Sequence, residues 1–333
     1  MPTTKAFHPE VMAALLAIEK APPARVFFVA CGGSLSIMYP AKFLLDQHSP
    51  IPSDLCNAAE FTARAPKGVG EDSLVILCSM TGTTKETVAA AEFARSRGSR
   101  TVGLTTEISS ALTRACDHAI SFEAPYTTGV PIDAKNSNYA RIYQLILGLV
   151  STTGGEDLSD KLMKSLSSLQ PAIDRAHEVF APMFAKYAPR FANEEVIYTI
   201  ASGASFGAAY SFSICVLMEM QWINSSAIHA NEFFHGPFEV LDKKRSFILL
   251  KGCDTTRALE DRADEFLHRF GSEENILVLD AETLDLSGID EIFRGNLVPL
   301  IFFDALWRFA YILADLRQHT MLHGRRYMKK IAY

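Results

Sequence analysis

Arg25-Val26-Phe27-Phe28-Val29-Ala30-Cys31-Gly32-Gly33-Ser34 begins as a short apolar, β-prone run and ends in a glycine turn. A helix-compatible stretch over residues 35–47 follows, so the segment predicts strand, turn and helix, the first half of a βαβ unit. A second strand, Ser73–Cys78, runs into Ser79-Met80-Thr81-Gly82-Thr83-Thr84 and then a helical run over residues 88–97, which Gly98 stops. Arg100–Thr105 predicts a third strand and residues 119–122 a short fourth. Strands alternating with helices imply a parallel sheet covered on both faces.

The same order then returns. Residues 195–201 predict a strand leading into Ser202-Gly203-Ala204-Ser205, with Val26 and Val196 170 positions apart. Residues 245–251 and 275–280 predict its second and third strands, and Thr84-Lys85 and Thr256-Arg257 are 172 apart. The expectation is two tandem α/β domains of one design. Their bounds are residues 1–155 and 191–333, joined by a helical linker over 156–190. Leu162, Leu166, Leu169 and Ile173 share one face of that linker, and Pro171 is expected to kink or split it.

With 333 residues, 48% hydrophobic and 21% charged, the chain is neither disordered nor collagen-like. A net charge of -6 disfavours a nucleic-acid partner; the one dense basic run is Arg325, Arg326, Lys329 and Lys330. Residues 297–306, the longest apolar stretch, are interrupted by Pro299 and Asp304, so no membrane span is expected. No signal-peptide pattern opens the chain, and a cytoplasmic location is expected. Six scattered cysteines lack any CxxC pair, which argues for reduced core residues and no metal site.

Ser79-Met80-Thr81-Gly82-Thr83-Thr84 places four hydroxyls in six residues between a strand and a helix. A helix N-terminus offers unpaired N–H groups and a positive dipole end, and hydroxyls add neutral donors. Capping alone explains one or two of them. The turn therefore predicts a phosphate site, with Ser34 facing the same anion. Neither the ATP-binding P-loop nor the dinucleotide fingerprint fits. In the second half, Lys251-Gly252-Cys253-Asp254 puts an acid where the anion would sit. That copy is expected to have lost phosphate binding, leaving one active site per pair of domains.

Glu219 stands in an apolar helical run, Cys215 to Trp222. A buried carboxylate needs a partner or a task, and burial raises its pKa toward the range of a general base. The competing readings are a structural ion pair and an exposed helix position. His235 precedes Gly236-Pro237, a turn that can hold a histidine toward a ligand.

These residues carry a resemblance. Cys31-Gly32-Gly33-Ser34, the Ser79 to Thr84 turn and Glu219 followed sixteen residues later by His235 resemble the sugar isomerase (SIS) family in its double-domain form. The chain is similar to the isomerase half of glutamine–fructose-6-phosphate aminotransferase. Residues 196–210, 218–222, Glu-Phe-Phe-His-Gly-Pro-Phe-Glu at 232–239 and Arg325-Arg326-Tyr327-Met328 resemble the fructosamine 6-phosphate deglycases more closely. The resemblance implies two SIS domains, each a three-layer αβα sandwich. It implies that Ser34, Ser79, Thr81 and Thr84 bind a sugar phosphate. Glu219 would move a proton between C1 and C2, and His235, often supplied by the partner subunit, would open the ring or act as acid. Gly33, Ser137, Lys329 and Lys330 are further candidate contacts. Residues 134–139 depart from the family's Ser-Thr-Lys-type loop.

The implied protein is a homodimer or larger homo-oligomer with no cofactor. Its expected activity is cleavage of a 6-phosphorylated fructose–amine adduct to an aldose 6-phosphate and a free amine. The alternatives are a sugar-phosphate isomerase or aminosugar-phosphate deaminase, and a non-catalytic sugar-phosphate sensor. Nothing in the sequence identifies the amine.

Overall fold

Every residue of β1 (Arg25–Ala30) except Arg25 is buried, because helices cover both faces of the sheet to which it belongs. The computed structural model describes residues 7–124 and 133–322, with Arg326 and Ile331. Two units are present, residues 1–170 with 288–293, and residues 171–287 with 294–333.

In the first unit the chain runs α1 (Pro9–Lys20), β1, α2 (Gly32–Ser36), α3 (Met38–His48), β2 (Ser53–Asn57), α4 (Ala58–Arg64) and β3 (Ser73–Cys78). There follow α5 (Lys85–Ser96), β4 (Arg100–Thr105), α6 (Ala111–Ala115), β5 (His118–Ser121), α7 (Asn138–Thr152) and α8 (Ser159–Ser167). The strands pair in parallel in the order β2-β1-β3-β4-β5, with Ala30 opposite Cys78. Phe27, Val29, Val75 and Leu77 bury one face against Phe61, Ala90, Ala94 and Leu112 of α4, α5 and α6. Helices α1, α3 and α7 form the layer opposite. From β1 the chain moves outward to β2 and then returns across the sheet to β3. The carboxyl ends of β1 and β3 therefore flank a switch point, where parallel sheets open a crevice for ligands.

The second unit holds most of α9 (Leu169–Phe191), then β6 (Val196–Ala201), α10 (Phe206–Ser211), a π-helical segment (Phe212–Met218) and β7 (Asn224–His229). After these come β8 (Ser246–Lys251), α11 (Arg257–Phe270), β9 (Ile276–Asp280) and α12 (Glu291–Arg317). The parallel order is β7-β6-β8-β9, so the switch point lies between β6 and β8. Ile200, Ile228, Phe247 and Leu249 pack one face against Ala263 and Leu267 of α11.

Three sequence expectations change. β2 and β7, both outer strands, were not foreseen. The linker helix is split at Ser168, and Pro171 falls in the first turn of α9, where its missing N–H leaves no bond unmade. Pro299 and Asp304 do not interrupt their segment: α12 runs through both for 27 residues. That helix is long and apolar enough to cross a membrane, but 67% of its most apolar window is buried in the protein. Phe302 and Phe309 pack against Phe180, Phe184 and Phe191 of α9, as in a core helix. The six cysteines are free; Cys56, Cys78 and Cys116 are buried and Cys31, Cys215 and Cys253 half-buried.

Candidate active site

The turn after β3 is built to stay open. Gly82 has φ +64°, and a Cβ there would lie 2.1 Å from Ser110 Oγ. Its N–H donates to the Ser79 carbonyl at 3.0 Å, and its carbonyl accepts from Leu112 N at 2.9 Å. The hydroxyls pair among themselves, Ser79 with Thr84 at 2.9 Å and Thr81 with Thr83 at 2.7 Å. Thr84 is the N-cap of α5, but its side chain makes no capping bond. The first-turn N–H groups of this 12-residue helix are thus free of side-chain caps beside a row of hydroxyls.

Across the switch point, Ser34 sits in the short α2 that follows β1. It hydrogen-bonds the Cys78 thiol, whose burial pushes its pKa up to about 12. This places Ser34 beside Cys78, the last residue of β3 and the one before the Ser79 turn. Gly33 is exposed, and its carbonyl accepts from Ser36 Oγ at 2.6 Å. Ser137 is committed to the backbone: it donates to the Ala134 carbonyl at 2.7 Å and caps α7 by accepting from Ala140 N at 3.3 Å. Lys329 and Lys330 lie outside the described residues.

The matching crevice of the second unit contains carboxylates of its own chain. Asp254 accepts from Ala204 N at 3.1 Å and from Thr256 N and Oγ1 at 2.7 and 2.6 Å. Glu260 accepts from Ser202 N and Oγ at 3.0 and 2.8 Å and from Gly252 N at 2.6 Å. The donors that an anion would use are occupied. Burial raises the pKa of Glu260 to about 7, opposed by those hydrogen bonds. Asp254 was anticipated. Glu260 was not, although it shares a helix face with Ala263 and Leu267, an available sign that it points inward.

Glu219 follows the π-helical segment, its N–H donating to the Ile214 carbonyl at 3.2 Å across five residues. It is half-buried, not sealed in an apolar helix as the sequence suggested. The turn continues through Trp222, whose φ of +55° is unusual for a bulky residue. His235 is exposed, after a short helical turn, Glu232–Phe234. Gly236 follows with φ +131°, a conformation reserved for glycine. Beneath it, Phe233 is fully buried, and Phe234 lies 5.5 Å from the Phe266 ring under the Arg262 guanidinium at 3.9 Å.

Two crossovers fix the relation between these groups. The segment 202–223 links β6 to β7, and 230–245 links β7 to β8 in the opposite direction across the sheet. Right-handed connections running in opposite directions lie on opposite faces. Phe233, Phe234 and Phe238 accordingly join the cluster under α11, which contains no residue of α10 or the π-helical segment. Within one chain, the segment that leads to Glu219 and the segment that carries His235 thus pack on opposite faces of the second sheet.

Residues 19–148 match the model of the SIS domain. The chain is 44% identical to a Bacillus subtilis protein named fructosamine deglycase FrlB, over 92% of both. It is 25% identical to an Escherichia coli protein named fructoselysine 6-phosphate deglycase, over 93% of this chain and 87% of that one. A crystal structure of a Bacillus subtilis protein described as a phosphosugar isomerase superposes with a TM-score of 0.94 and 42% identity, covering 99% of each chain. The chain belongs to the SIS-domain family and is an enzyme of that family.

Proposed function

We propose that the protein is a sugar-phosphate deglycase, cleaving a 6-phosphorylated fructose–amine adduct to an aldose 6-phosphate and a free amine. The observation that carries this is the uncapped α5 N-terminus with its hydroxyl row, in a chain 44% identical along nearly its whole length to a named fructosamine deglycase. In this reading Ser34, Ser79, Thr81 and Thr84 hold the phosphate, and both halves of the chain are SIS domains. Binding at the phosphate is remote from the reacting carbons and so serves to position them.

The chemistry needs one base and one acid. The sugar ring opens, and Glu219 takes a proton from C1 of the open-chain adduct to give an enaminol. Reprotonation at C2 leaves an imine at C1, and water adds there to release the amine and the C1 aldehyde. His235 assists ring opening or donates a proton. Because the segment that carries it and the segment that leads to Glu219 pack on opposite faces of the second sheet in one chain, the His235 that serves a given Glu219 comes from the partner subunit of a homodimer, in the cytoplasm. No step calls on a cofactor.

Incubation with a phosphorylated Amadori compound tests this by release of free amine and aldose 6-phosphate in equal amounts. Interconversion of aldose and ketose phosphates with no amine from any adduct would instead establish an isomerase.

A further inference from the structure

On the deglycase reading, we propose that Arg326, seated on the Trp222 indole, binds the carboxylate of the amino-acid part of the substrate. Trp222 lies three residues beyond Glu219 in the same turn. The turn is tightly held: Gln221 N donates to the Val216 carbonyl at 3.0 Å and Ile223 N to the Leu217 carbonyl at 2.9 Å. The buried Gln221 side chain donates to the His319 carbonyl at 3.0 Å and contacts Met321 Sδ at 3.1 Å. These bonds force Trp222 into the left-handed region, yet its indole is 50% exposed. Strain of this kind, unrewarded by burial, marks positions held for a ligand.

Two cyclic or planar groups flank the indole, the His319 ring at 4.6 Å and the Arg326 guanidinium at 5.3 Å. A guanidinium on an aromatic ring keeps its planar fork of N–H donors available at the edge, the geometry that grips a carboxylate bidentately. Arg317, in the same region, donates from its two terminal nitrogens to the carbonyls of Ala192 and Gln221, at 2.9 and 3.4 Å, and its Nε is buried in the protein. Arg326 is exposed, and no carboxylate among the described residues pairs with it. In an amino-acid adduct the carboxylate lies about 5 Å from C1 through the amine nitrogen and Cα, by ordinary bond lengths. One substrate would then span the base at Glu219 and the guanidinium seated on the side chain three residues later. The subsite selects adducts of amino acids over adducts of amines that lack a carboxylate.

The test measures equilibrium binding to the Glu219→Gln protein, so that bound substrate is not consumed. The probes are 6-phosphofructosyl-glycine and its glycinamide counterpart. The carboxylate form is expected to bind about tenfold tighter or better, the scale of a charge-assisted bidentate contact. Adding Arg326→Ala should bring the ratio close to one, and Arg326→Lys should leave an intermediate ratio. Equal binding of the two probes with Arg326 intact, or a ratio unmoved by Arg326→Ala, overturns the subsite, as does failure of both to bind. Turnover by the unmodified enzyme reads the activity separately: if both probes bind but neither yields amine, the deglycase reading fails while the binding ratio still judges Arg326.

Discussion

Gly82 shows how far a single position controls the hydroxyl turn after β3. A methyl group there meets Ser110 Oγ at 2.1 Å, and the residue already has φ +64°. Gly82→Ala should destabilise the fold by about 2 kcal/mol or more, since strain and overlap act together, and thermal melting measures it. Glu260 makes a different demand. Its pKa is raised from 4.5 to about 7, so between those values the folded protein holds a proton that the unfolded chain has released. Its contribution is present in full below pH 4.5 and is lost as pH rises through about 7. Denaturant titrations of the wild type and Glu260→Gln across that window should show a wild-type stability component that declines with pH by about 3 kcal/mol. No difference in slope between the two would refute the raised pKa. At Glu219 the competing roles separate cleanly. Glu219→Gln should cut kcat by roughly 10²-fold or more and keep the melting temperature, whereas a structural ion pair gives the reverse.

The elements divide into those that the sequence announces and those that it hides. β1, β3, β4, β6 and β8 were legible because strands covered on both faces are nearly continuous apolar runs, and the outer strands β5 and β9 were legible from their own apolar residues. β2 and β7 were hidden because an outer strand needs few apolar residues: Ser-Asp-Leu-Cys-Asn buries only Cys56 and Asn-Ser-Ser-Ala-Ile-His only Ile228. The π-helical segment was hidden for another reason. The burial of Glu219 was argued from its apolar neighbours alone, and after the wider turns of this segment Glu219 emerges half-buried. The strand-to-helix turn with its four hydroxyls was legible from composition, because capping does not need four. The function of that turn is an element-scale property, shared by the loop and the α5 N-terminus. Thr81→Val should raise KM for a phosphorylated substrate by about tenfold while leaving binding of the unphosphorylated sugar unchanged, a loss suited to one bond to a charged group. Equal losses for both ligands would remove the phosphate assignment.

At the scale of the whole molecule, the two parallel sheets share a strand order, β2-β1-β3-β4 and β7-β6-β8-β9, and differ at their switch points. The first sheet lines its crevice with Ser34 and the Ser79 to Thr84 hydroxyls; the second fills its own with Asp254 and Glu260. That divergence makes one phosphate site per chain the expected stoichiometry. The segments that lead to Glu219 and carry His235 pack on opposite faces of the second sheet, which turns the proposed acid–base pair into a statement about assembly. The direct test mixes two inactive proteins, Glu219→Gln and His235→Ala, and lets their subunits exchange. With the pair formed across subunits, each mixed dimer regains one intact site, and an equal mixture recovers about a quarter of wild-type activity by the statistics of a twofold dimer. No recovery after subunit exchange has been demonstrated, by mass or by a fluorescent label, would contradict the shared site.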